Sequence, residues 1–312
     1  MKPSFSSLRR REASVVAFGE ALWDVYETGP DTFRREPGGA PANLAVALAR
    51  LGIRASIVCG VSKDAFGDAL VARLKDAGVD TRFVVRLPNR TGLAFVRCDR
   101  RGQPSFLFYR HETADMMVRP AHVRVPEATF AVVGTSTLLR EPLASATWRF
   151  VDLAVKKGAA IALDLNVRAH LWSNTKTMRS EIAKLAARAA LVKASRADLR
   201  ALGGASFLET HAPDATWILT AGGGVAHARG AHGEVAMKAR RTKCVDATGA
   251  GDAFFAGALS VLAQRGAVPG ASAWRDPAVF SEALRVGHML GAKVVSKVGA
   301  QYLSGAPPPN PR

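Results

Sequence analysis

Phe130-Ala131-Val132-Val133 and Ala160-Ile161-Ala162-Leu163-Asp164 are two short apolar runs, and Ala144 to Lys157 between them reads as a helix. A strand, a helix and a strand in that order can pair in parallel only if the helix crosses over the sheet. The rhythm continues. A helix is expected over Thr175 to Ala190, a strand over Leu191 to Lys193 and a helix over Arg196 to Leu202. A strand over Trp217 to Thr220 and a last helix over Pro277 to Val295 complete it. Short links and right-handed crossovers predict an α/β fold with a doubly wound, mainly parallel sheet flanked by helices.

Toward the N-terminus, Val15 to Glu20 reads as a buried strand ending in glycine, with Asp24 on a loop past its carboxyl end. Open α/β sheets bind ligands at that edge. Pro37-Gly38-Gly39-Ala40-Pro41-Ala42-Asn43 runs into a helix that Gly52 closes. The glycine pair lets backbone approach a ligand, and Asn43 offers a donor and acceptors. Ala55 to Cys59 is a strand, and Phe66 to Ala77 a helix. Three short strands follow near 83–85, 93–97 and 105–110, with Asp99-Arg100-Arg101-Gly102 as a turn. A meander does not easily join a parallel sheet, so about 83–110 is expected to form a small β lid. Period-two alternation puts Phe106, Phe108 and Arg110 on one of its faces.

At the strands' carboxyl edge stand Asp164-Leu165-Asn166-Val167-Arg168 and Thr220-Ala221-Gly222-Gly223-Gly224. The glycines suit either a nucleotide lying across backbone or a hairpin turn. The stretch with most chemistry is Asp246-Ala247-Thr248-Gly249-Ala250-Gly251-Asp252, followed by an apolar run read as a buried helix. A first helical turn has unpaired N–H groups and the positive end of the macrodipole. With small residues at Gly249, Ala250 and Gly251, an anion can approach those amides. A carboxylate beside an anion hole is explained if Asp252 takes the proton of a hydroxyl that attacks a phosphoryl group held there. An acidic first-turn residue on an ordinary helix is the plainer explanation.

The 312 residues are 48% apolar and 22% charged, enough for one large domain with an appendage and against global disorder. No run approaches membrane-spanning length, and Val15 to Phe18 is too short for a signal sequence. Residues 1–11 and 305–312 read as tails. Cys59, Cys98 and Cys244 are far apart in sequence, which suits a reducing cytoplasm and no zinc site. The net charge of +17 is spread along the chain, without a basic stripe that would mark nucleic-acid binding. No Gly-x4-Gly-Lys loop and no Gly-x-Gly-x-x-Gly fingerprint occurs, so phosphate handling needs another scheme.

Gly38 to Gly52 and Asp246 to Asp252, in this order and spacing, resemble the ribokinase-like (PfkB) family of sugar kinases. The likeness runs along nearly the whole chain, with a domain expected over 12–304. Thr91 to Val96, Ser105 to Arg110 and Ala114-Asp115-Met116 read like the fructokinase branch. The resemblance implies phosphorylation of a sugar hydroxyl by ATP with magnesium, Asp252 as base, and Gly249, Ala250 and Gly251 as the anion hole. It implies Asp24, Gly38, Gly39, Asn43, Phe108, Arg110 and Arg168 around the sugar, with Asn166, Lys193, Ser195, Thr220, Gly222 and His288 toward the nucleotide. Asp198 would reach magnesium through water and Asp246 would lie near potassium. The lid would mediate a homodimer. Ser195-Arg196-Ala197-Asp198 stands where the family has Asn-x-x-Glu. Two alternatives stay open: a 2-keto-3-deoxygluconate kinase, and a sugar- or nucleotide-binding regulator without activity.

Overall fold

A computed structural model describes residues 13–301, so the two expected tails lie outside the described residues. The chain runs β1 (Ser14–Phe18), β2 (Leu22–Gly29), β3 (Thr32–Gly38), α1 (Ala40–Arg50), β4 (Arg54–Ser62), α2 (Ala65–Asp76) and β5 (Val84–Leu87). It continues with β6 (Leu93–Cys98), β7 (Pro104–Tyr109), β8 (Phe130–Gly134), α3 (Leu143–Lys156), β9 (Ala160–Asp164), α4 (Thr175–Ala186) and β10 (Leu191–Ser195). It ends with α5 (Arg196–Leu202), α6 (Ser206–His211), β11 (Thr216–Thr220), β12 (Val225–Gly230), β13 (Gly233–Lys238), α7 (Ala250–Gln264) and α8 (Pro277–Val295).

Among the described residues, nine strands form the main sheet in the order β13-β12-β11-β10-β9-β8-β1-β4-β5. All neighbours from β11 to β5 pair in parallel, and β12 and β13 add an antiparallel hairpin at one edge. Alternation along β1 separates two cores. Val15 and Ala17 pack with α1, α7 and α8 residues such as Leu48, Phe255 and Phe280. Val16 and Phe18 pack with Phe150, Ile182 and Leu185 of α3 and α4 on the opposite face. Phe18 stacks on Phe150 with ring centroids 4.8 Å apart. Burying such a ring contributes about 1.5–3 kcal/mol, so both helical layers are fixed mainly by this apolar packing.

The lid is a separate four-stranded sheet in the order β3-β2-β6-β7. Two expectations need correction here. Asp24 lies inside β2 rather than on a loop, and half of the lid comes from Leu22–Gly29 and Thr32–Gly38, far before the expected stretch. Val84–Leu87, placed in the lid by sequence, instead pairs in parallel with β4 at the edge of the main sheet. The reason is partnership. Four half-exposed residues carry no alternation that names their neighbour, and only tertiary structure decides which open edge they join. Gly222 turns at φ 59° into β12, so the glycine run is a hairpin turn, and it also borders the cavity between the two sheets.

Candidate active site

Between the lid and the carboxyl edge of the main sheet lies a cleft of about 1060 Å³. Gly249 caps α7 with φ 74°, and a Cβ there would collide with Ala300, so conformation and space both require glycine. Gly249, Ala250, Gly251 and Asp252 all line the cleft. Asp252 is 8% exposed, and its carboxylate accepts a 2.9 Å hydrogen bond from Asn43 Nδ2. Gln301 donates to Asn43 Oδ1 at 3.1 Å and so fixes which way the amide points. Burial raises the Asp252 pKa, with Asn43, Lys193 and Arg168 pulling the other way. A carboxylate moved toward neutrality is a better proton acceptor for a hydroxyl than an ordinary one.

Asp24 also faces the cleft from the lid. Its pKa is pushed up to about 8, first by burial and then by the charges of Asp252, Asp246 and Glu20. Gly38 does not line the cleft; it lies beneath the Asp24 carboxylate, in the space a Cβ would need. Gly39, at φ 98°, caps α1 and brings Asn43 into its first turn. Phe106 and Phe108 of β7 stack at 5.7 Å, with the Arg168 guanidinium over Phe106 at 5.4 Å. The expected face of β7 is therefore the one that covers the cleft. Arg110 lines it too, but its guanidinium is held by buried Asp115 at 2.6 Å, with Glu20 at 3.7 Å. It pins the lid to the body more than it reaches for a ligand.

The other end of the cleft is bordered by Asn166, Lys193, Ser195, Asp198, Thr220, Gly222 and His288. Asn166 has φ 33°, a left-handed conformation that asparagine tolerates better than most residues. Lys193 pairs with both Asp164 oxygens at 3.0 Å. Ser195 caps α5, and Asp198 answers it: its oxygens accept from Ser195 N–H at 2.7 Å, Ser195 Oγ at 2.6 Å and Val167 N–H at 2.7 Å. His288 Nε2 donates to Met237 O at 3.0 Å, and burial holds its pKa down, so the ring is neutral with Nδ1 left as an acceptor.

Asp246 lies outside this cleft, 1% exposed. It accepts from Tyr26 Oη at 3.0 Å, Thr248 N–H at 2.8 Å, Gly299 N–H at 2.9 Å and Cys98 Sγ at 3.4 Å. These bonds tie two lid strands to the loop that leads into α7. They also outweigh burial, and keep Asp246 ionised below the usual carboxylate range.

The sequence model described as pfkB family carbohydrate kinase matches residues 12–307. The chain belongs to the PfkB carbohydrate kinase family. It is 35% identical to Fructokinase-1 of Oryza sativa subsp. japonica over 310 residues, 93% of this chain and 94% of that protein. Fructokinase from Vibrio cholerae O395, solved with fructose, ADP and calcium, superposes with a TM-score of 0.85 at 27% identity, covering 94% of this chain and 96% of that one. Fructokinase from Xylella fastidiosa with bound ATP gives 0.84 at 31% identity, covering 94% of each.

Sequence reading missed several residues of this PfkB kinase. Glu20 borders the cleft, accepts from Ser136 Oγ at 3.0 Å and follows the same strand end that singled out Asp24. Gln103, Arg240 and Arg241 also line it. Their only sequence signals were a hairpin turn and a basic pair after β13, whose position against the cleft depends on how the two sheets meet.

Proposed function

We propose that this PfkB kinase transfers the γ-phosphate of ATP to a hydroxyl of fructose in the cytoplasm, the compartment suggested by its free cysteines. The carrying observation is Asp252, buried against Asn43 in the same helical turn as the Gly249–Gly251 amides. The sugar lies between Asp24, Asn43 and the aromatic face of the lid. Asp252 takes the hydroxyl proton, the freed oxygen attacks the γ-phosphorus, and the amides receive the charge of the transferred group. Phe106 and Phe108 keep water away from that transfer. Three acidic residues, Glu20, Asp24 and Asp252, border the sugar end, and Arg110 is already paired. A neutral sugar suits this lining better than a sugar acid.

Among the described residues no three His, Cys, Asp or Glu side chains cluster as a metal cage. That suits magnesium held mainly by nucleotide phosphates, with Asp198 reaching it through water. When bound, magnesium supplies positive charge to the phosphates. Potassium is proposed beside Asp246, an ionised buried carboxylate that has hydrogen bonds but no cationic side chain paired to it among the described residues. Potassium should raise both the melting temperature and the rate relative to choline; equal values in the two salts would remove the site. The outer face of the lid carries Phe33, Leu107 and Tyr109, each about 60% exposed (59%, 60% and 59%), and is proposed to pair with a second copy of the chain.

The substrate reading is tested with a panel of fructose, ribose, 2-keto-3-deoxygluconate and nucleosides, each with ATP and magnesium, by following ADP release. Fructose should give the highest kcat/KM. Turnover of the sugar acid alone would replace fructose. Sugar-dependent thermal stabilisation without ADP release from any of them would make the protein a binding regulator.

A further inference from the structure

Lys193 stands on β10 directly opposite Asp164 of β9, and its Nζ donates to both carboxylate oxygens at 3.0 Å. The two side chains are only 6% and 9% exposed. On its other side Nζ faces the first turn of α7: a Cβ added to Gly251 would stand 3.0 Å from it. A side chain at 251 would crowd the ammonium. An ammonium has three N–H donors. Asp164 takes two, no other hydrogen bond of Nζ is seen among the described residues, and the third donor is left beside the anion hole. Burial works against the charge of Lys193, but Asp164, Asp198 and Asp252 outweigh it and raise its pKa, so the group stays cationic. A hydrogen-bonded cation inside a site closed to water acts on developing charge far more strongly than one in solvent.

Resting on the phosphoryl transfer proposed above, we propose that Lys193 gives its third N–H to an oxygen of the phosphoryl group in flight, and that Asp164 is the positioning residue that aims it. The sugar hydroxyl proton passes to Asp252 and the sugar oxygen bonds to phosphorus. The bond from phosphorus to the β,γ-bridging oxygen breaks, and its electron pair leaves with ADP. Lys193 keeps its proton throughout and offsets charge without acting as an acid.

The test uses the full chain with Lys193→Met, Lys193→Arg and Asp164→Asn. Kinetics with fructose are set beside affinities for ADP alone and for ADP with aluminium fluoride and fructose. Lys193→Met should lower kcat by about 10²–10³, the range for losing one oxyanion donor, with a much smaller change in KM for fructose. The acid limb of its pH–kcat profile should move to higher pH, because Asp252 loses a neighbouring cation. Affinity for the aluminium fluoride complex should fall at least about tenfold more than affinity for ADP. Lys193→Arg should recover part of kcat and Asp164→Asn should lose part. Turnover of Lys193→Met within about threefold of wild type, or equal losses of affinity for the two nucleotide complexes, overturns the proposal. Should Lys193→Met fail to fold by circular dichroism, the other two variants decide, and wild-type kcat in both overturns it. Wild-type protein inactive with every sugar would sink the kinase reading and this proposal with it, whereas the variant outcomes above overturn the proposal alone.

Discussion

Asp252 and Asp24 are both buried carboxylates in one cleft, yet their surroundings give them different work. Asp252 has Asn43, Lys193 and Arg168 to offset its burial. Asp252→Asn keeps the shape and removes the proton acceptor, so kcat should fall by about 10²–10⁴ with a much smaller change in KM. Steady-state kinetics with fructose check this, and near-normal turnover would take Asp252 out of the base role. Asp24 is surrounded mostly by other carboxylates, which with burial bring its pKa to about 8. Its folded pKa lies above its unfolded one, so between about pH 4 and pH 8 the folded chain binds more protons and this group's contribution to stability falls as pH rises. Asp24→Asn should therefore gain melting temperature relative to wild type by a few degrees from pH 6 to pH 9 in the absence of sugar. A pH-independent difference between the two melting curves would show that Asp24 is not protonated at neutrality.

Among the elements, the lid and α7 depend on each other. Tyr26 of β2 donates its hydroxyl to Asp246, three residues before the Gly249 cap of α7, and Asp24 is on the same strand. The Tyr26 hydroxyl stays protonated, since burial raises its pKa, so it remains a donor at any working pH. Tyr26→Phe removes one charge-assisted bond and should cost about 1.5–3 kcal/mol of stability. KM for fructose should rise with it, because β2 loses its anchor while carrying Asp24. A denaturant titration and a KM measurement test the pair of effects; stability lost with KM unchanged would mean the lid is placed by other contacts. The same bond bears on why Asp24, expected on a loop, stands in a strand: the partners of β2, which are β6 and the Asp246 loop, are remote in sequence.

For the molecule as a whole, the lid has two faces with opposite fates. Phe106 and Phe108 cover the cleft, while Phe33, Phe95 and Tyr109 touch edge to face on the outside, with Phe33–Phe95 centroids at 5.9 Å and Phe95–Tyr109 at 5.4 Å. A ring cluster left open to water on a small sheet is unfavourable unless something covers it. Leu107→Lys combined with Tyr109→Lys should convert a dimer to a monomer by sedimentation, with the main-sheet fold retained by circular dichroism. A wild-type protein that sediments as a monomer at micromolar concentration would refute the pairing.

The amino-acid sequence alone determined the parallel sheet, the helix N-terminus at Gly249–Asp252 and the side of β7 that faces the cleft. Each follows from short-range pattern: apolar runs alternating with helices, small residues before a buried helix, and period-two alternation. Tertiary structure alone decided that Val84–Leu87 leaves the lid, that Leu22–Gly38 enters it, and that Arg110 answers Asp115. It also decided that Lys193 lies against Gly251. These are meetings between residues from 5 to more than 50 positions apart, set by which edge, which charge and which empty volume remain after the cores have packed. No local pattern in a chain encodes what is left over.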